Sequence, residues 1–255
     1  MNNNFINGTN VEYKYKPEKP KPKPIHSDIS VIITAWDNEL HIKECIDSVI
    51  NQNINVKYEI LLGIDGCVKT KDKFIKLRNE NIDYKIIKAY YMKENMGTYV
   101  TTNTLISLSN TKTLVRFDSD DIMKPQMLSI IYNNIKEYDL LKFRCVSFNT
   151  NINEVKAVRC YPDGVCAFKR NIYNTLGGYK SWKCAADSDF LRRMSFISKN
   201  RKLLNDPLFY RRIHSNSLTT RADTCFKSDC RESYKKMIST SFEKIIPELN
   251  KYEII

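Results

Sequence analysis

Three carboxylates crowd into four positions where an apolar run ends: Asp118, Asp120 and Asp121 in LVRFDSDDIMKP, residues 114 to 125. Carboxylates this close repel one another unless a cation sits between them. In an extended or turning backbone, positions i and i+2 can point the same way, so Asp118 and Asp120 can share one partner. A hard divalent ion, Mg2+ or Mn2+, takes one or two protein carboxylates and completes its shell with substrate phosphates and water. The same acids also suit a solvated loop or a helix N-terminus, where Asp120 or Asp121 would complement the dipole.

Other chemically capable residues stand at comparable places. Trp36 follows the β-branched run ISVIIT, and Asp65-Gly66 closes YEILLGID. An indole just past a strand end can stack a nucleotide base. ADSDFLRRM sets Asp187 and Asp189 two residues apart on an amphipathic helix, where their side chains diverge and one of them faces a cleft. His214 is the only histidine of the C-terminal half and directly follows YRRI, with Arg211 and Arg212 beside it. Guanidinium groups clamp phosphate oxygens, a service Ser217 can lend more weakly. A neutral imidazole ligates Mn2+, whereas Mg2+ prefers oxygen.

These residues need a frame. ISVIIT, YEILLGID, YKIIKAYY and TLVRF read as apolar, β-branched strands covered on both faces, as in a parallel sheet. Between them, Ile42, Cys45, Ile46, Val49 and Ile50 recur at helical spacing, with Asp37 or Asn38 as the expected N-cap, and TYVTTNTLISLS reads as a second helix. Pro125 suits the first turn of PQMLSIIYNNIKE. Strands alternating with helices predict a doubly wound α/β fold with a mostly parallel sheet. In such sheets ligands bind at the carboxyl ends of the strands, where Thr34 to Asp37, Asp65-Gly66 and Asp118 to Asp121 should converge. Past residue 140 the alternation loosens into a mixed region: strands LLKFRCVSF, EVKAVRCY, GVCAFK and PLFYRRI, helices NIYNTLGG and ADSDFLRRMSFIS, and a helical tail from Phe226.

Bulk properties set limits. The 255 residues suffice for one sizeable core, and the expected organisation is an arm (1–27), one α/β domain (28–225, its halves meeting near 125) and a helical tail (226–255). The arm alternates lysine with proline in KYKPEKPKPKP, which favours an extended tether. No apolar run approaches the roughly 18 residues a membrane helix needs, and the start lacks the features of a secretory leader. Eight cysteines, none at C-x-x-C spacing, read as reduced thiols in a cytoplasmic protein. The formal charge of +12 is spread along the chain without an aromatic-interleaved motif, which suits an anionic phosphate-bearing small molecule better than nucleic acid.

The ordered set SVIITAWDNELHIKECIDSVINQ, YEILLGIDG, ENMGTYVTTNTLISLS and LVRFDSDDIMKPQML resembles the nucleotide-binding half of family 2 glycosyltransferases of the GT-A fold. LGGY, AADSDFLRRM and YRRIHSNSLTT resemble that family's acceptor side, so the likeness runs from about Asp28 to Thr220. The resemblance implies inverting, metal-dependent transfer of a sugar from a nucleoside diphosphate donor, with a UDP-sugar expected, to a hydroxyl on a glycan, protein or lipid. Thr34, Trp36, Asp65 and Asn95 then match nucleotide-side positions. Asp118 approaches the ribose, Asp120 holds Mn2+ or Mg2+ with Asp118 and His214, Arg211, Arg212 and Ser217 face the phosphates, and Asp187 is the general base with Asp189 as the alternative. Ile64, Cys67 and Ala186 depart from the family's usual acid, serine and glutamate. They leave the base open among uracil, thymine and guanine, and keep a non-catalytic sugar-nucleotide binder in view. A nucleotidyltransferase would need a glycine- and lysine-rich phosphate loop after the first strand, which TAWDNELH does not supply.

Overall fold

The computed structural model describes residues 27–149, 152, 155–159 and 161–249. The Lys-Pro arm therefore lies outside the described residues, apart from its last residue. Strands β1 (Ile29–Ala35), β2 (Tyr58–Asp65), β3 (Ile87–Met92) and β4 (Thr113–Asp118) pair in parallel in the order β3-β2-β1-β4. Their register sets Thr34 beside Asp118 and Ala35 beside Ile64, which brings three strand ends to one edge. The sheet continues through β8 (Cys166–Lys169), β6 (Leu140–Phe148) and β9 (Arg201–Arg212) to the two-residue β5 (Ile122–Met123), with β7 (Val155–Arg159) on β6. Most of these later pairings are antiparallel, and β6 with β9 is parallel. The expected doubly wound, mixed sheet is what forms.

Continuous apolar runs follow from cover on both faces. Val31, Ile33 and Ala35 of β1 pack in one core with α1 (Ile42–Ile50), α2 (Val68–Glu80) and α4 (Met127–Ile135). Ile32 points the other way, into a second core with α3 (Thr98–Leu108), α5 (Arg170–Leu176) and α6 (Ala186–Ile197). Each such buried isoleucine contributes about 1.5–3 kcal/mol relative to exposure. Phe168, Tyr173, Tyr179 and Phe190 form an aromatic knot under α6, with Tyr179 and Phe190 centroids 4.4 Å apart. Such pairs add about 0.5–1.5 kcal/mol each, and here they seat the helix that carries Asp187.

Several local expectations change. Helix α1 is capped at His41, not at Asp37 or Asn38. Asp37 takes a positive φ of 49° in the strand-end turn, and the Asn38 side chain is spent elsewhere. Helix α2 escapes periodicity analysis because only Thr70, Phe74 and Leu77 of its lysine-rich sequence are buried. Strand β9 begins at Arg201, six residues before the anticipated Pro207, because β6 supplies a parallel partner along its length. Pro125 precedes α4, whose N-cap is Gln126. The tail forms α7 (Asp229–Leu249). Among the described residues, no helix is long and apolar enough to cross a membrane.

Candidate active site

The ends of β1, β2 and β4 open into a cleft of about 590 Å3, which β9 and the turn before α6 close from the other side. Thr34, Trp36, Asp65, Asn95, Asp118, Asp120, Asp187, Arg211, Arg212, His214 and Ser217 all line it. Residues as far apart as 34 and 217 thus meet at one sheet edge.

The acid turn is braced from three directions. Asn38 Nδ2 donates to the Ser119 carbonyl at 2.7 Å and to Ser119 Oγ at 2.9 Å. Asp121 is buried and accepts the Arg212 amide at 2.9 Å, so it clamps β9 to the turn. Asp120 Oδ2 lies 2.8 Å from His214 Nε2. Asp118 meets Arg116 Nη1 at 3.0 Å. Burial pushes the Asp118 carboxyl up, Arg116 offsets part of this, and Asp120 and Asp187 add to it. Burial pushes Asp121 up further, with Asp120 and Asp118 reinforcing the effect. Crowded acids that resist ionising together suit a cation. The donor set fits a divalent ion, with hard carboxylates on Asp118 and Asp120 and an imidazole on His214. Among the described residues, no three His, Cys, Asp or Glu side chains converge as a ready cage. A shell completed by substrate phosphate and water is the form such ions take.

Around the ends of β1 and β2, Trp36 is 41% exposed, enough to offer a ring face, and the Arg221 guanidinium lies 5.2 Å from its centroid. Thr34 Oγ1 is 2.7 Å from Thr98 Oγ1. Asp65 is buried and accepts from the amides of Met96 (2.8 Å) and Gly97 (2.9 Å) and from Thr101 Oγ1 (2.9 Å). Burial raises its carboxyl despite these three bonds. Asp65 therefore fastens the 95–97 turn to β2, and Asn95 closes that turn by accepting the Gly97 amide at 3.2 Å.

Asp187, also in the lining, accepts from Tyr99 Oη at 2.9 Å and from the Ser188 amide at 3.0 Å, both through Oδ1. Asp189 does not line the cleft. It is buried against Arg193 at 2.8 Å, and Arg193 in turn donates to the carbonyls of Leu176 and Gly178, anchoring α6 to the end of α5. That removes Asp189 as an alternative base. Arg212 lines the cleft with less freedom than the expected phosphate clamp would have: its guanidinium is buried, with Nε donating to the Asp120 carbonyl and Nη2 to Glu44. Arg211 gives one nitrogen to Thr219 at 2.9 Å, and Ser217 Oγ is buried without a partner in the structure.

Arg116, Tyr99, Gly164, Lys183 and Arg221 also line the cleft without having been singled out. Arg116 left one readable signal: an arginine inside the apolar strand LVRF requires a buried partner. Tyr99 and Gly164 left none, since their role depends on loops whose geometry the sequence does not state.

Known proteins agree with this architecture. Residues 30–201 match the family Glycosyl transferase family 2. The curated glycosyltransferase GlyA of Streptococcus pneumoniae is 28% identical over 127 residues, 49% of this chain and 18% of GlyA. The chondroitin synthase of Pasteurella multocida is 27% identical over 126 residues, 49% of this chain and 12% of the synthase. The matched segment thus spans less than a fifth of either relative. Among solved structures, S. aureus TarS 1-349 in complex with UDP superposes with a TM-score of 0.63 at 16% identity, covering 86% of this chain and 71% of that one. The mannosyltransferase PcManGT of Pyrobaculum calidifontis, in complex with GDP-Man and Mn2+, gives 0.60 at 15% identity, covering 92% and 75%. At these identities the likeness establishes the fold, which is GT-A. With more than half its length inside the family match, the chain belongs to glycosyl transferase family 2.

Proposed function

We propose that the cleft transfers a sugar, with inversion, from a nucleoside diphosphate donor to a hydroxyl on a glycan, protein or lipid, and that a UDP-sugar is the donor. The observation that carries this reading is that three chemistries line one cleft: the accessible indole of Trp36, the Asp118/Asp120/His214 group, and Asp187. Solved relatives hold UDP in one case and GDP-Man with Mn2+ in another, which supports a nucleotide in the same half.

Trp36 stacks the base, and Arg211 meets the diphosphate. Asp120, with Asp118 and His214, would hold Mn2+ or Mg2+, whose charge would offset that of the leaving nucleoside diphosphate. Asp187 takes the acceptor's hydroxyl proton on Oδ2 as that oxygen bonds to the anomeric carbon. The bond from the anomeric carbon to the diphosphate breaks, and its electron pair leaves on the phosphate oxygen. Reduced buried thiols such as Cys45, Cys166 and Cys184 suit a cytoplasmic setting.

The test is thermal stabilisation by UDP with Mn2+, together with release of UDP from UDP-GlcNAc and of GDP from GDP-mannose. Asp120→Asn is expected to lose the metal-dependent stabilisation, and Asp187→Asn to keep it while losing turnover. Stabilisation by UDP that ignores both Mn2+ and the Asp120 change would refute the metal assignment. Tight donor binding without any release would favour a non-catalytic binder, the reading that Ala186 keeps open.

A further inference from the structure

We propose that Tyr99 is a positioning residue for this reaction, holding one oxygen of Asp187 so that the other is presented to the acceptor hydroxyl. The proposal rests on the reading of Asp187 as the base. Tyr99 sits in the first turn of α3, 3% exposed, and bonds Asp187 across 88 positions of sequence. A first-turn acid serves its own helix by default. Asp187 does so only through the Ser188 amide, and the same Oδ1 also takes the Tyr99 phenol. Among the described residues, no hydrogen bond reaches Oδ2. That oxygen lies 3.7 Å from where a β-carbon on Gly164 would sit, and Asp118 Oδ2 lies 2.9 Å from the same point. The unbonded oxygen thus faces the group assigned to the leaving diphosphate, where an acceptor must enter.

The phenol is itself held. Its ring stacks on Tyr179 at 5.8 Å, and the Arg116 guanidinium lies 5.7 Å from its centroid. Arg116 is fixed by Asp118, the Gly164 carbonyl and Thr98 Oγ1. Burial, and then the charge of Asp187, hold the Tyr99 phenol well above its ordinary range, so it stays protonated and donates a hydrogen bond to Asp187 Oδ1. The proton of the acceptor therefore goes to Asp187 Oδ2, while Tyr99 keeps its own. Two hydrogen bonds on one oxygen fix the carboxylate plane, which is the positioning that near-attack geometry requires.

The experiment compares Tyr99→Phe, Tyr179→Phe and Asp187→Asn in the full chain. Release of UDP from UDP-GlcNAc and of GDP from GDP-mannose is followed with Mn2+ present and water as acceptor. Tyr99→Phe should lower kcat about tenfold to a hundredfold, the worth of one hydrogen bond to a charged group, with donor KM within about twofold. Tyr179→Phe is the control, because its buried hydroxyl has no partner in the structure and its loss should change kcat less than about twofold. A Tyr99→Phe enzyme as fast as wild type, beside a dead Asp187→Asn, overturns the positioning role alone. An active Asp187→Asn overturns the base reading and this proposal with it. A crystal structure of Tyr99→Phe decides independently of turnover. Asp187 is expected to leave its present rotamer, and an unchanged carboxylate would refute the proposal.

Discussion

Gly164 is where the cleft can be disturbed by a single methyl group. A β-carbon there would lie 2.9 Å from Asp118 Oδ2 and 3.1 Å from Arg116 Nη1. The first distance is about half an ångström inside ordinary contact, and both neighbours are side-chain ends that can move only by disturbing their ion pair. Asp118 and Arg116 are paired with each other, and Arg116 also donates to the Gly164 carbonyl. Gly164 has no positive φ, so alanine brings no backbone strain and the whole effect is local crowding. Overpacking of this kind costs about 1–3 kcal/mol of stability. A displacement approaching 1 Å in a catalytic group costs about a hundredfold in rate. Gly164→Ala should therefore unfold a few degrees lower and release the nucleoside diphosphate from its donor at least tenfold more slowly, on the order of the loss that misplacement brings. Thermal unfolding and steady-state donor hydrolysis measure the two effects on the same sample. Wild-type turnover in a folded Gly164→Ala protein would show that the gap between Asp118 and Asp187 is not where the reaction occurs.

Two further outcomes follow from the geometry. Trp36→Ala should weaken UDP binding by about 1–3 kcal/mol, the worth of one stacked base, while leaving Tm nearly unchanged; calorimetric titration with an unaltered Kd would place the base elsewhere. Glu59 links three strands through Lys88, Ser30 and the Asn110 amide. Burial alone would raise its carboxyl, but these bonds outweigh it and hold the group below its ordinary value of 4.5. A depressed acid stabilises the fold above its unfolded pKa, and that contribution is lost as pH falls through the folded one. Glu59→Gln should thus flatten the acid limb of Tm against pH below about 4.5, and an unchanged limb would contradict the assignment.

Much of the frame could be read from residue pattern alone. Strands β1, β2 and β4 are buried on both faces, so near-continuous apolar runs mark them, and their polar ends announce the cleft. Asp118, Asp120 and Trp36 were visible for the same reason. What stayed hidden depends on contacts between distant segments. Asp65 looks like a free strand-end acid until the turn at Met96 and Gly97 folds onto it. Arg212 resembles its neighbour Arg211 in sequence, yet its guanidinium is held by Glu44 and the Asp120 carbonyl, while Arg211 bonds Thr219. Helix α2 is lysine-rich and touches the core through three side chains, too few to print a period.

Arg212 and Asp121 carry a consequence for any attempt to divide this chain. The acids at the end of β4 belong to the first half of the chain, but their turn is pinned by a strand some ninety residues later. A fragment ending before β9 would keep β1 to β4 and lose the clasp that shapes their acid turn. Grafting a foreign C-terminal half would demand a backbone amide in register with Asp121 and a guanidinium within reach of the Asp120 carbonyl and Glu44, so recombination within this fold is restricted at both points.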